Sequence, residues 1–144
     1  GKMHMIIGAK FPTVVKIAAQ RADEWNHFSL PMKDYLSLKA TFDSALGDRK
    51  VDVTEAGPYL IARSRSDLER YADMLNKKEG VSRSPKETLG LLKERGSPSG
   101  TVDEFVADLR SKGDNGIQRY YFQTIDTQNT EMIELLADTL RSGV

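Results

Sequence analysis

Cysteine is absent from the 144 residues, which removes disulfides, thiolate metal sites and thiol nucleophiles together. An excess of charge of either sign is absent too, because 21 Lys and Arg balance 21 Asp and Glu. Without a clustered basic field the chain lacks the electrostatic footprint of a nucleic-acid or anionic-membrane binder. No apolar run approaches the roughly 18 residues of a membrane span, and no basic-then-apolar leader opens the chain. These absences predict a soluble, cytoplasmic protein with no nucleic-acid and no membrane partner. Histidine occurs only as His4 and His27, which make no ligand spacing with each other or with nearby carboxylates, so no metal site is expected. Ser/His/Asp sets, paired carboxylates and Walker-type loops are also missing, and no catalytic residue can be named.

What the chain does contain is a recurring strand-then-helix pattern. Met3-His-Met-Ile-Ile7 is an apolar run, Gly8-Ala-Lys-Phe-Pro12 a turn, and the residues from Thr13 to Arg21 a helix whose first turn Pro12 presets. Ala22 to Phe28 is too short for a helix before Ser29 and Pro31 and reads as a second strand. Tyr35, Leu38, Phe42, Ala45 and Leu46 recur at helical spacing before Gly47. A polar connection over residues 48–57 leads to a third strand over residues 58–62. Leu68, Tyr71, Ala72 and Leu75 then mark the face of a helix running to about Lys78.

Residues 79–100 hold four Gly and two Pro around a short leucine cluster, which predicts a mobile insertion or lid with one short helix inside it. Thr101-Val-Asp-Glu104 has the form of a capping box opening a helix that ends at Gly113. Ile117 to Ile125, rich in aromatic and β-branched residues, is the strongest strand signal in the chain. A final helix runs from about Asn129 to Arg141.

Four consecutive βα units without a hairpin between them imply an α/β domain over residues 1–144, with a parallel sheet and packed helices. A full (β/α)8 barrel needs about 250 residues, so four units suit half of one. An open, doubly wound sheet is the alternative, and it requires helices on both faces.

Ile6-Ile-Gly-Ala9, the helix to Ala19, and Ala22-Asp-Glu-Trp-Asn26 resemble a strand, helix and strand in the second half of the luciferase-like monooxygenase superfamily, in particular its deazaflavin-dependent branch. Gly100-Thr-Val-Asp-Glu104 is similar to that superfamily's Gly-Thr-Pro-Glu-Glu helix start, with Val102 in place of Pro. The spacing to Gly116-Ile-Gln-Arg-Tyr-Tyr-Phe122 and to the acidic, Leu-rich last helix is similar as well. The resemblance covers most of the chain outside residues 79–99. It implies the C-terminal half of a (β/α)8 TIM barrel, from an oxidoreductase or monooxygenase using FMN or the deazaflavin coenzyme F420 on a small-molecule substrate. Such a half, lacking the other wall of its site, is expected to be inactive alone. The superfamily often has a Gly-Gly-x-Gly-like turn where this chain reads Gly8-Ala9-Lys10-Phe11.

Barrel chemistry sits at the C-terminal ends of strands, which singles out several positions. Gly8, Ala9, Lys10 and Thr13 stand where free amides at a helix start can cradle a cofactor phosphate, with Lys10 as a point charge. Trp25 and Asn26 are placed to wall the cofactor, and His27 and Arg63 to meet substrate. The plainer alternative makes them an ordinary turn, a packed barrel end and a solvated loop. A second alternative is non-catalytic: a half-barrel that self-associates as a homodimer through the open edges at Met3–Ile7 and Ile117–Ile125.

Overall fold

The computed structural model describes residues 1–144. Its elements run β1 (Ile6–Gly8), α1 (Pro12–Arg21), β2 (Glu24–Phe28), α2 (Met32–Leu46), β3 (Asp52–Pro58), β4 (Leu60–Ala62), α3 (Arg65–Glu79), α4 (Pro85–Glu94), β5 (Ser99–Thr101), α5 (Val102–Asp114), β6 (Arg119–Gln123) and α6 (Thr130–Arg141). No helix is long and apolar enough to cross a membrane. The chain divides into two compact units, residues 1–57 with 113–121, and residues 58–112 with 122–144.

The four-stranded sheet has the order β1-β2-β3-β6, which is the order of the chain. A doubly wound sheet reverses its strand order at a switch point, and no reversal occurs here. β1 pairs in parallel with β2, with Ile7 opposite Trp25 and Gly8 opposite Asn26. β2 pairs in parallel with β3, with Asn26 opposite Thr54 and His27 opposite Glu55. The architecture is a half-barrel of consecutive βα units.

In the first unit the helices lie on one face of the sheet. Val15, Ala18 and Ala19 of α1 and Tyr35, Leu38 and Phe42 of α2 bury with Trp25 and Val53. Successive strand residues point to opposite faces, so Glu24, Asn26 and Phe28 take the other side of β2. There Asn26 Nδ2 donates to Thr54 Oγ1 at 2.9 Å, and Thr54 Oγ1 donates to Glu24 Oε1 at 2.6 Å. Tyr121 donates its hydroxyl proton to Glu24 Oε1 at 3.0 Å, and Arg119 reaches Oε2 at 3.2 Å. One buried carboxylate thereby ties β2 to β3 and β6.

The sequence reading needs correction at the third strand. Residues 48–57, expected as a polar connection, contain most of β3, whereas residues 58–62 include only its last residue and β4, which pairs in parallel with β5 in a separate two-stranded sheet. Hydropathy missed β3 because Thr54 and Glu55 are buried. Gly57 is also part of that strand for a steric reason: a Cβ there would stand 2.2 Å from Ser29 Oγ and 2.9 Å from the Tyr120 hydroxyl. Those two groups are themselves hydrogen bonded at 2.8 Å.

The second unit packs α3, α4 and α6 around Tyr59, Leu60, Ile61, Phe105 and Met132. The rings of Tyr59, Phe105 and Phe122 meet at centroid distances of 5.4 to 6.3 Å. Its helix starts are satisfied by side chains: Ser64 accepts from the Asp67 amide, Ser84 and Glu87 form a reciprocal box, and Asn129 accepts from the Met132 amide. Residues 79–100, expected as an insertion or lid, hold α4 and the start of β5. They are tied to α3 by Thr88, which donates to Asn76 Oδ1 at 2.6 Å, and by Asn76 Nδ2, which donates to the Arg83 carbonyl at 3.1 Å.

Candidate functional site

A cleft of about 340 Å³ opens at the C-terminal ends of β1 and β2, lined by Gly8, Ala9, Lys10, Phe11, Val14, Asn26 and Phe28. The turn from β1 into α1 is fixed at both backbone groups of Ala9. Its N–H donates to the Asn26 carbonyl at 2.9 Å, and its carbonyl accepts the indole N–H of Trp25 at 3.0 Å. The amide of Ala9 is thus engaged within the protein, which corrects the expectation that it cradles phosphate.

The anion-receptive feature lies one turn further on. Phe11 occupies the N-cap of α1 and provides no side-chain acceptor, Pro12 follows, and the first turn holds no acidic residue. The Thr13 and Val14 amides are therefore without a partner inside the helix, at the positive end of its dipole. Lys10 stands immediately before, its Nζ 5.6 Å from the centroid of the Phe11 ring. Phe11 and Phe28 are 64% and 56% exposed, so the cleft pairs aromatic surface with a cation and free amides. That donor set suits a planar aromatic group carrying an anionic tail, which is the general form of a flavin or deazaflavin nucleotide.

Of the residues singled out in the sequence, Gly8, Ala9, Lys10 and Asn26 come together in this cleft. Thr13 contributes through its place in the first helical turn, with an exposed side chain outside the cleft wall. Trp25 does not wall the cleft. It is fully buried, its ring 4.9 Å from that of Phe42, and it acts from behind by holding Ala9. His27 is likewise no surface residue, because the alternation that sends Asn26 to the cleft sends Trp25 and His27 under the helices. There its Nε2 lies 3.8 Å from Glu55 Oε2, its Nδ1 donates to the Phe28 carbonyl at 3.1 Å, and the Tyr35 ring stacks at 5.0 Å.

Arg63 belongs to the second unit and lines another cleft with Asp67, Tyr71, Glu131, Glu134 and Asp138. Four carboxylates around it make a poor receptor for an anionic substrate. Phe11, Val14 and Phe28 also line the cleft; Phe11 and Phe28 fall within the strand-end stretches Gly8 to Thr13 and Trp25 to Phe28 that barrel topology singles out, but none of the three was given a contact. Their signal was an aromatic residue at an N-cap position, where Ser, Thr, Asp or Asn is favoured, and an apolar residue two positions beyond Asn26 on the same strand face.

No family model matches the sequence, and no curated protein does. Solved structures do match. The coenzyme F420 dependent tetrahydromethanopterin reductase from Methanopyrus kandleri superposes with a TM-score of 0.66 at 15% identity, over 93% of this chain and 49% of its own. This chain has the fold of half such an enzyme. For the monooxygenase RslO1 from Streptomyces bottropensis the TM-score is 0.68 at 15% identity, over 96% of this chain and 47% of the other. For the EDTA monooxygenase from Chelativorans sp. BNC1 it is 0.62 at 14%, over 96% and 44%. The half-barrel thus spans about half the length of each of these structures, and at these identities the likeness is one of fold.

Proposed function

We propose that this half-barrel is the cofactor-binding part, the C-terminal half, of a luciferase-like oxidoreductase or monooxygenase, using FMN or coenzyme F420 on a small-molecule substrate in the cytoplasm. The observation that carries the reading is the uncapped start of α1 beside Lys10, opening onto an aromatic-walled cleft at the strand ends. Fold likeness to an F420-dependent reductase and to monooxygenases supports the same chemistry. A bound flavin or deazaflavin supplies hydride or oxygen chemistry at its ring. The chain's own contribution is placement: the Thr13 and Val14 amides and Lys10 hold the anionic tail, Phe11 and Phe28 shield the ring from water, and Asn26 offers its side-chain carbonyl, its Nδ2 being engaged by Thr54. The cleft has one wall, and the chain alone is accordingly inactive in turnover.

Fluorescence titration of FMN and of coenzyme F420 into the chain tests this reading. Saturable binding of one of them is expected, and Lys10→Glu should weaken it by about tenfold, equivalent to about 1.4 kcal/mol. Binding that Lys10→Glu leaves unchanged would remove Lys10 from the site, and no saturable binding of either compound would remove the cofactor role from this chain.

A further inference from the structure

On the face of β2 turned away from the helices, a chain of hydrogen bonds runs from Glu24 to the cleft, and its direction is fixed at the Glu24 end. Glu24 is 1% exposed. Arg119 Nη1 donates to its Oε2 at 3.2 Å, and His4 Nε2 lies 3.3 Å from the same oxygen. The Tyr121 hydroxyl accepts from Arg119 Nη1 at 3.2 Å, so its single proton goes to Glu24 Oε1 at 3.0 Å. A guanidinium and a hydroxyl proton aimed at the carboxyl keep it ionised, and an ionised carboxylate only accepts.

Thr54 is fully buried and stands between this acceptor and Asn26. Its Oγ1 lies 2.6 Å from Glu24 Oε1, and its one proton is committed there. Toward Asn26, 2.9 Å away, Oγ1 has only lone pairs to offer, so Nδ2 and not Oδ1 must face it. With the amide turned the other way, either the 2.6 Å or the 2.9 Å contact would bring two acceptors together with no proton between them. Leaving a buried hydrogen bond unmade costs more than making it gains, so one orientation is held. The Asn26 carbonyl oxygen is then free of partners within this chain, on a residue that lines the cleft.

We propose that Glu24, acting through Thr54, sets the Asn26 amide with its carbonyl oxygen toward the cleft, and that this oxygen selects a ring ligand with an N–H on its rim. Glu24 and Thr54 are positioning residues, and Asn26 makes the contact. The selection step rests on the cofactor reading, whereas the orientation of the amide does not. Flavin and deazaflavin rings both carry an imide N–H between two carbonyls, and a site built to accept from an N–H rejects an analogue that lacks it. The polarity is reversible by one substitution. In Glu24→Gln the side-chain carbonyl faces Arg119, which places the amide NH2 against Thr54. Thr54 then accepts from Gln and donates to Asn26, whose NH2 group turns to the cleft.

Two measurements on the chain test the two halves separately. In NMR, exchange of the Asn26 Nδ2 protons with water should quicken at least about fivefold in Glu24→Gln and in Thr54→Val, whereas Thr54→Ser, which keeps the hydroxyl, should match the wild type. Backbone amides of β2 should exchange as before, which a mere loosening of the sheet would not allow. In titration, whichever of FMN and F420 binds should bind at least about tenfold tighter than its imide-N-methylated derivative. Glu24→Gln should weaken the parent compound and leave the methylated one nearly unchanged, and Thr54→Ser should preserve the ratio. Unchanged side-chain exchange in both Glu24→Gln and Thr54→Val, or exchange that quickens equally along the β2 backbone, would overturn the orientation whatever binds. A binding ratio near one in the wild type, or one that Glu24→Gln leaves as it was, would overturn the selection. No binding of either compound would overturn the selection together with the cofactor reading, while the exchange result decides the orientation by itself.

Discussion

The two units of this chain solve the same problem, covering apolar surface and backbone ends, to different degrees. In the second unit, side chains cap α3, α4 and α6, three aromatic rings interlock in the core, and among large hydrophobics only Val81, Leu140 and Val144 are exposed. In the first, the N-caps of α1 and α2 are Phe11 and Pro31, which offer no side-chain acceptor, and a run of large apolar residues faces solvent. The second unit is finished by its own residues. The first leaves the first-turn amides of α1 without a side-chain cap, beside the Lys10 cation and exposed aromatic surface, and groups of that kind are the ones that receive an anionic ligand.

The largest effect should come from emptying either core. Trp25→Ala and Phe105→Ala each remove a fully buried ring and should each cost about 3–5 kcal/mol in urea denaturation. The comparison predicts a difference on top of that equality. Trp25→Phe, which keeps most of the ring but loses the hydrogen bond to the Ala9 carbonyl, should weaken FMN or F420 binding, whereas Phe105→Leu should leave it alone. Equal binding by the two milder variants would break the link between Trp25 and the cleft.

A smaller, pH-dependent effect should reside in the first unit. Burial by itself pushes the Glu24 carboxyl up, but hydrogen bonds from Thr54, His4 and Tyr121 and the charge of Arg119 outweigh it and hold the carboxyl below its ordinary value. A carboxyl depressed in the folded state contributes stability that is fully present above its unfolded value near 4.5 and is lost as pH falls through the folded one. Stability should therefore drop below about pH 4.5, and Glu24→Gln should flatten that part of the curve while lowering stability at neutral pH. An unchanged acid limb in Glu24→Gln would show that other carboxylates carry it.

Glu24 also shows where the sequence could and could not be read. The helices α2 and α6 and the aromatic strand β6 were legible because their apolar residues follow one period and end in recognisable caps. β3 was not, since its buried Thr54 and Glu55 are polar in composition and become interior only through partners brought from β2, such as Glu24 and His27. The site was half legible for a related reason. Strand-to-helix topology located Gly8 to Lys10 and Asn26, but treating Trp25, Asn26 and His27 as one cluster ignored the alternation that puts the middle residue on the opposite face from the other two.

The smallest effect separates folding from binding at a single position. Phe11→Asp places at the N-cap of α1 the kind of acceptor that the helices of the second unit already have. The new carboxylate would take one of the free first-turn amides and complement the helix dipole, which should raise stability by about 0.5–1 kcal/mol, less whatever Phe11 contributes from its exposed position. The same carboxylate would compete with an anionic ligand for those amides and place a negative charge beside Lys10. Stability should rise while FMN or F420 binding falls, the combination expected when a residue is kept for a ligand at some cost to the fold. A variant that gains stability and binds as before would mean that the anionic tail rests on Lys10 alone. One that loses stability would mean that the packing of the Phe11 ring on the cleft is worth more to the fold than the new cap.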